Sequence, residues 1–441
     1  MKHWDDPENS KEAREKILEL VKEYYLLKTT EDLKSFEEGD RVSYSGRVYD
    51  EKEMVSLVSS SLDFWLTAGK YCNEFEKKFS EYFDVKHTLL TNSGSSANLL
   101  SFFALTSHEL GDRRIKRGDE IITIACTFPS TINPILQYGA VPVFVDVNVN
   151  TLNIDESQIE SAITDKTKAI IMAHTLGNPF DIKKAKEICD KHNLWLIEDC
   201  ADALVSKVDN KYVGTFGDIA ITSFFVAHFL FTSEGGATYT NNTQLYNIMK
   251  SMRGWGRKYE CKECKSDCKK RYDQSIDYDC RYIFGEIGFN LKMTEMQASI
   301  GLAQLDKLDY FVEKRKENYN YLLDKLQEFD EYFIFPESIE NSDVCWFCFP
   351  ITLKENVPFT RRELTEYLLE KNIDNRLLFA GNAIRQPYFN NLIEGVDYKV
   401  VGTLGNTNYI MDNTFFVGNY PQLDNKMLDY IYKVIKEFVK N

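Results

Sequence analysis

The chain has 441 residues, 43% of them hydrophobic, and carries 68 acidic against 53 basic side chains, a net charge of -15. That length and apolar content support a large buried core in roughly two to three domains. The acidic balance argues against nucleic-acid binding, which calls for a basic face. No apolar run approaches the roughly 20 residues of a membrane span. The charged, helix-patterned start MKHWDDPENSKEAREKILELVKEYY is unlike a signal peptide, so a cytoplasmic protein is expected. Reduced thiols are expected there too, and the ten cysteines need another reading than disulfides.

Residues 11–37 read as an amphipathic helix. A short strand is predicted over 85–91 (VKHTLLT), and NSGSSANLLSFFALTS then turns into a helix. Strand-like IITIA, PVFVDV, AIIMAH and LWLIEDC follow, separated by helical stretches such as 181–192; 219–225 (IAITSFF) and 237–240 (ATYT) add two more. Short apolar strands alternating with helices predict a mostly parallel, buried α/β sheet. Segment 257–283 breaks the rhythm: it is rich in Lys, Asp, Cys and Tyr, lacks apolar periodicity and reads as an insertion. A long helix is predicted over 294–330. The remainder holds strand-like CWFCFPITL, a helix at 360–371 and a closing helix at 425–439, a pattern for a smaller α+β domain. The expected organisation is a helical extension over 1–50, a large domain over 51–330 and a small domain over 331–441.

Three features bear on chemistry. Gly94, Ser95 and Ser96 stand at the predicted helix start, where backbone N–H groups and hydroxyls can hold a phosphate; a serine-rich cap without a ligand is the alternative. Asp199 ends the apolar strand LWLIEDC, and strand C-termini face the ligand crevice in such sheets. A buried carboxylate there needs a cation, and the ring nitrogen of a vitamin B6 cofactor would serve; capping the next helix is the other reading. Third is the segment SFFVAHFLFTSEGGATYTNN.

Together with TNSGSSANLL, IACTFPSTINPI, AHTLGNPFD, WLIEDCADAL, GTFGDIAITSF and GFNLKMTEMQASIGLAQL, this segment resembles the DegT/DnrJ/StrS sugar aminotransferase family of B6 enzymes. The blocks stand in the family's order between residues 91 and 305. The resemblance implies the aspartate aminotransferase-like fold (fold type I), with the cofactor in the large domain. It implies that Ser95, Ser96 and Ser223 bind the cofactor phosphate beside Gly94, that Phe128 stacks on the ring and that Asp199 pairs with the ring nitrogen. It also implies that Asn290 reaches the phosphate of a neighbouring subunit, hence a homodimer with shared active sites.

One position departs from the family. Where its Schiff-base lysine stands, this chain has His228, and no lysine occurs between Lys211 and Lys250. The cofactor would then be held non-covalently, as pyridoxamine 5'-phosphate, and the imidazole can move protons near neutral pH. A dead cofactor site is the alternative. The substitution narrows the resemblance to nucleotide-sugar 3-dehydratases, which remove a hydroxyl instead of transferring an amine. One branch acts on a GDP-sugar with the B6 cofactor alone. The other acts on CDP-4-keto-6-deoxyglucose, carries a 2Fe-2S cluster and takes electrons from a flavin/iron–sulfur reductase. The N-terminal extension, VSLVSSSLDFWLTAGKYCNEFEKKF, KHNLWLIEDC and RLLFAGNAIRQPYF resemble the second branch.

The cysteines match that branch in part. Cys261 and Cys268 stand one residue closer together than its final ligand pair, Tyr259 replaces a third ligand, and Ala201 occupies the place of the first. Cys261, Cys264, Cys268 and Cys280 could form a tetrad for an iron–sulfur cluster or for structural zinc, or hold no metal; Cys200 is the alternative ligand. Arg376 and Arg385 could grip a substrate diphosphate or form surface ion pairs. His174 could touch substrate or cofactor oxygens or be a core histidine. A non-catalytic B6-fold binding protein stapled by zinc is the rival from another class.

Overall fold

The computed structural model describes residues 9–32, 35–258, 272–273 and 276–440. A large sheet is built from β1 (His87–Thr91), β2 (Glu120–Ile124), β3 (Val141–Val145), β4 (Thr167–Ala173), β5 (Trp195–Asp199), β6 (Ile219–Ser223) and β7 (Gly236–Thr240), with a short edge strand at Lys399–Val400. The spatial order is β1-β7-β6-β5-β4-β2-β3 and then the edge strand. Every pairing is parallel except the two made by β7, which runs against β1 and β6. The strands are apolar on both faces because both faces are covered. Ile121, Ile171 and Ile197 enter the core under α4 (Gly94–Ala104), α5 (Pro129–Tyr138) and α7 (Thr243–Arg253). Ile122, Ile170 and Leu196 enter the core under α3 (Lys70–Phe83) and α6 (Ile182–His192). The result is a three-layer α/β/α domain. On α3, Phe75, Phe79 and Phe83 recur every four residues and are all buried; each such ring stabilises the fold by roughly 1.5–3 kcal/mol.

The second sheet pairs β8 (Phe333–Ile334), β9 (Cys348–Leu353), β11 (Thr414–Gly418) and β10 (Asn375–Leu377), in that order and antiparallel. Its core takes Leu364 and Leu368 of α10 (Arg361–Glu370), Ile431 and Val434 of α12 (Asn425–Lys440), and also Phe36, Val42 and Leu322. Segments placed in the extension and the large domain by sequence thus contribute to this core, while Lys399–Val400 joins the large sheet.

Two expected helices differ. The first, α1 (Ser10–Asp32), does not reach 37. The helix expected over 294–330 is two, α8 (Glu295–Leu305) and α9 (Leu308–Leu326). At the break Lys307 turns onto Glu53 (2.6 Å) and Asp50 (2.7 Å) at the start of α2 (Glu51–Asp63). α8 packs on α2 and α3 whereas α9 packs on α12, and one straight helix could not do both. In the 257–283 insertion, residues 259–271, with Cys261, Cys264 and Cys268, lie outside the described residues. Cys280 opens a short 3-10 turn, Cys280–Tyr282, and is buried.

Candidate active site

The C-terminal ends of β4, β5 and β6 open into a cavity of about 460 Å³ that the small domain helps to enclose through Phe347, Arg376, Phe379 and Phe416. Ligand crevices in parallel sheets form at this end. Asp199, the last residue of β5, lines it and is almost fully buried. Its Oδ2 accepts from Asn98 Nδ2 and Thr131 Oγ1, both at 2.8 Å, and its Oδ1 accepts from the Ala201 N–H at 3.1 Å. Burial raises the Asp199 pKa, and these three donors oppose the rise. Three donors on one buried carboxylate orient it and favour its anionic form. Sequence reasoning missed Asn98 and Thr131, although both lie inside quoted blocks, because nothing in a linear motif says that they converge.

At the start of α4, Ser93 caps the helix: its Oγ accepts from the Ser96 N–H at 3.0 Å and donates to Ser96 Oγ. Ser96 is therefore taken up by the cap, while Gly94 and Ser95 line the cavity with Ser223. A Cβ on Gly94 would come within 2.5 Å of Ser223 Cβ, and one on Gly236 within 2.6 Å of the Gly94 nitrogen. Only glycine lets the helix N-terminus, β6 and β7 meet so closely, which leaves a cradle of backbone N–H groups and hydroxyls suited to a phosphate. Phe128, just before α5, is 54% exposed, meets Phe379 edge-on at 6.2 Å and lines the cavity.

His228 closes the opposite wall. Its side chain is 15% exposed, and Nδ1 lies 3.5 Å from Asp202 Oδ1, too far for a well-formed hydrogen bond. Nδ1 has no such partner among the described residues. Burial and then the charge of Arg315 push the His228 pKa down to about 3, against a weak upward pull from the Ala201 backbone. Burial and the neighbouring Asp199 push Asp202 up to about 8. Both shifts favour the uncharged forms, the unprotonated imidazole and the protonated Asp202 carboxyl. Asp202 was missed in the sequence; its only signal was its place three residues after Asp199.

His174, just after β4, is also among the residues that line the cavity. It is wholly buried, stacks on Phe180 at 4.2 Å and sets Nε2 3.1 Å from Glu198 Oε2, leaving Nδ1 without a partner. Arg376 lines the cavity mouth over the Tyr44 ring at 4.1 Å. Arg385 does not: it is exposed and pairs with Asp412 at 3.1 Å. Asn290 is exposed, bridges Gly254 and is not among the lining residues. Cys200 is buried in the core, its Sγ 3.9 Å from the Glu198 carbonyl. No lysine lines the cavity among the described residues.

An anion-binding cradle for a phosphate, an exposed aromatic side chain and a buried carboxylate for a ring nitrogen are the groups that hold a pyridoxal-type cofactor, and the residues fit it. The arrangement is that of the B6 enzymes of fold type I. The DegT/DnrJ/EryC1/StrS aminotransferase family matches residues 48–436, and the chain belongs to that family. It is 49% identical to the lipopolysaccharide biosynthesis protein RfbH of Salmonella typhimurium, over 96% of this chain and 98% of that protein. It is 40% identical to the dTDP-4-dehydro-2,6-dideoxy-D-glucose 3-dehydratase of Saccharopolyspora spinosa, over 97% and 92%. Among solved structures, the Escherichia coli GDP-4-keto-6-deoxy-D-mannose-3-dehydratase with bound hydrated PLP superposes with a TM-score of 0.81 at 30% identity, covering 90% of this chain and 99% of that one.

Proposed function

We propose that this chain is a pyridoxamine/pyridoxal phosphate-dependent nucleotide-sugar 3-dehydratase, acting on CDP-4-keto-6-deoxyglucose in the making of deoxysugars for lipopolysaccharide. The observation that carries the reading is His228: a neutral imidazole on the cavity wall where the family has its Schiff-base lysine, with no lysine lining the cavity among the described residues. Relatives named as 3-dehydratases of dTDP- and GDP-sugars support the reaction class.

The bound cofactor would supply an amine that condenses with the sugar ketone and a ring that takes up electrons. Gly94, Ser95 and Ser223 would hold its phosphate, Phe128 would cover a ring face, and Asp199 would hold the ring nitrogen. His228 would be the proton carrier: its imidazole would take a proton from the carbon bearing the amine and give one to the departing hydroxyl, and its lowered pKa favours the giving while weakening the taking. Asp202 then faces a cation at Nδ1. Arg376 is placed to meet the substrate at the mouth, and the role given to Asn290 calls on a second copy of the chain.

The finer reading adds a 2Fe-2S cluster on the cysteines of the insertion, fed by a flavin/iron–sulfur reductase; the cysteine density around Cys280 supports it, and structural zinc is the competing occupant. The purified chain, prepared without oxygen and supplied with cofactor, is incubated with the CDP-, dTDP- and GDP-linked 4-keto-6-deoxysugars. Loss of the C3 hydroxyl from the CDP-sugar, with iron and sulfide in the protein, is the expected result. Zinc in place of iron, or turnover of the GDP-sugar alone, overturns the finer reading; amine transfer without dehydration overturns the whole.

A further inference from the structure

Arg315 stands on α9 at the seam between the two domains and is only 3% exposed. No carboxylate lies within ion-pair distance of it among the described residues. An unpaired buried cation is costly, and a hydrophobic residue of similar size would pack there without that penalty. What it does instead is bridge. Nη1 donates to the Phe347 carbonyl, next to β9, at 2.9 Å and to the Asn419 carbonyl just after β11. Nη2 reaches the Ala227 and His228 carbonyls at 3.4 and 3.3 Å. The guanidinium also lies 4.8 Å over the Phe229 ring, and the Phe347 ring packs on the imidazole of His228 at 5.2 Å.

We propose that Arg315 is the positioning residue for His228: one buried guanidinium clamps the peptide of the proton-transferring histidine to two strand ends of the small domain. The proposal rests on the dehydratase reading above. A planar guanidinium holds five donors in a rigid fork, enough for these four carbonyls at fixed directions, whereas an ammonium offers three donors on a freely rotating head. The clamp explains how a histidine on a loop, with no hydrogen-bond partner on Nδ1 among the described residues, keeps one place. Its charge also holds the imidazole neutral. The other charged or titratable groups in reach are Asp202 beside His228, Asp199 beyond it, Cys345 and Cys348 beside Arg315, and His174, Glu234 and Arg376 on the cavity wall.

The test uses the full chain loaded with cofactor, as wild type, Arg315→Lys and Arg315→Met. Turnover is measured with the nucleotide sugar, and the His228 imidazole is titrated by nitrogen NMR, its signal assigned by its loss in His228→Gln. Arg315→Lys keeps the charge and loses the fork: kcat should fall about tenfold or more, with KM within about twofold and the His228 midpoint unmoved. Arg315→Met should lower kcat further and raise the midpoint by about one pH unit or more. Wild-type turnover in both variants overturns the clamp. So does a joint fall of kcat, cofactor occupancy and melting temperature with an unmoved midpoint in Arg315→Met, which marks a structural staple. Should Arg315→Met fail to fold, the kcat of Arg315→Lys decides alone. If wild type itself does not dehydrate the sugar, the functional reading fails, while the titration still tests the clamp.

Discussion

Asp199 and Asp202 stand three residues apart and live in different chemistry. Asp199 ends a central strand and collects three hydrogen bonds. Asp202 lies in the turn beyond; its carboxyl is helped only by the Leu176 backbone and the charge of Arg315, and its pKa rises to about 8. The same contrast separates the walls of the cavity: the sheet side is saturated with donors and closed by glycines, whereas the loop side holds His228 with an unpartnered Nδ1. A saturated wall holds a charge in place, and an under-partnered wall lets a proton come and go.

The largest effect expected is on the loop wall. His228→Gln should lower kcat by about 10²–10⁴-fold, the range for losing a general acid–base group, while cofactor stays bound. His228→Lys should in addition form a borohydride-reducible link to the cofactor, seen by mass spectrometry. Retained dehydration in either variant would break the contrast between the walls. On the other side, Asp199→Asn should cost about 10²–10³-fold in turnover together with cofactor occupancy, read from absorbance. If occupancy survives and only turnover falls, the sheet wall is doing more than holding.

The pair His228–Asp202 also predicts opposite pH slopes. His228 falls from an ordinary 6.5 to about 3, and Asp202 rises from 3.8 to about 8. Between pH 3.8 and 6.5 the unfolded pair carries one proton, on histidine, and the folded pair also carries one, on aspartate, so the two contributions cancel. Asp202→Asn leaves the histidine alone: the unfolded chain then binds the extra proton, and stability should fall as pH drops from 6.5 toward 3. His228→Gln leaves the aspartate: the folded chain binds the extra proton, and stability should fall as pH rises from 3.8 toward 8. Each slope approaches about 1.4 kcal/mol per pH unit. Parallel melting curves for the two variants would refute the pairing.

Much of this architecture was legible in the sequence. Strand ends are readable because apolar runs buried on both faces stop where the crevice begins, so Asp199 was singled out by pattern, whereas Ser223 came from the family resemblance and His228 from its departure from it. The partners of Asp199 were not readable: Asn98 and Thr131 come from two helices, and only the sheet order brings them together. Arg315 was invisible for the same reason, since one arginine on a charged helix reads as solvated. The α8–α9 break escaped because helical periodicity continues across it, while the packing partner changes. Arg385 sits in a block with Arg376, yet a short 3-10 turn, Ala383–Arg385, sends it outward.

The smallest effects sharpen where the saturated wall ends. Thr131→Val removes one of three donors to Asp199, and a single hydrogen bond to a charged group is worth about 1.5–3 kcal/mol. With Asn98 and Ala201 still in place, cofactor affinity should weaken about tenfold, measured by titration of the unloaded protein, and the carboxylate should titrate higher. Arg385→Ala should do less. Its guanidinium is 47% exposed and its partner Asp412 is 56% exposed, and such surface pairs contribute about 0–1 kcal/mol. KM for the nucleotide sugar should stay within about twofold of wild type, whereas Arg376→Ala, at the mouth, should raise it. A large rise for Arg385→Ala would mean that the substrate extends past the cavity to the outer face of the small domain, and the binding surface would have to be redrawn there.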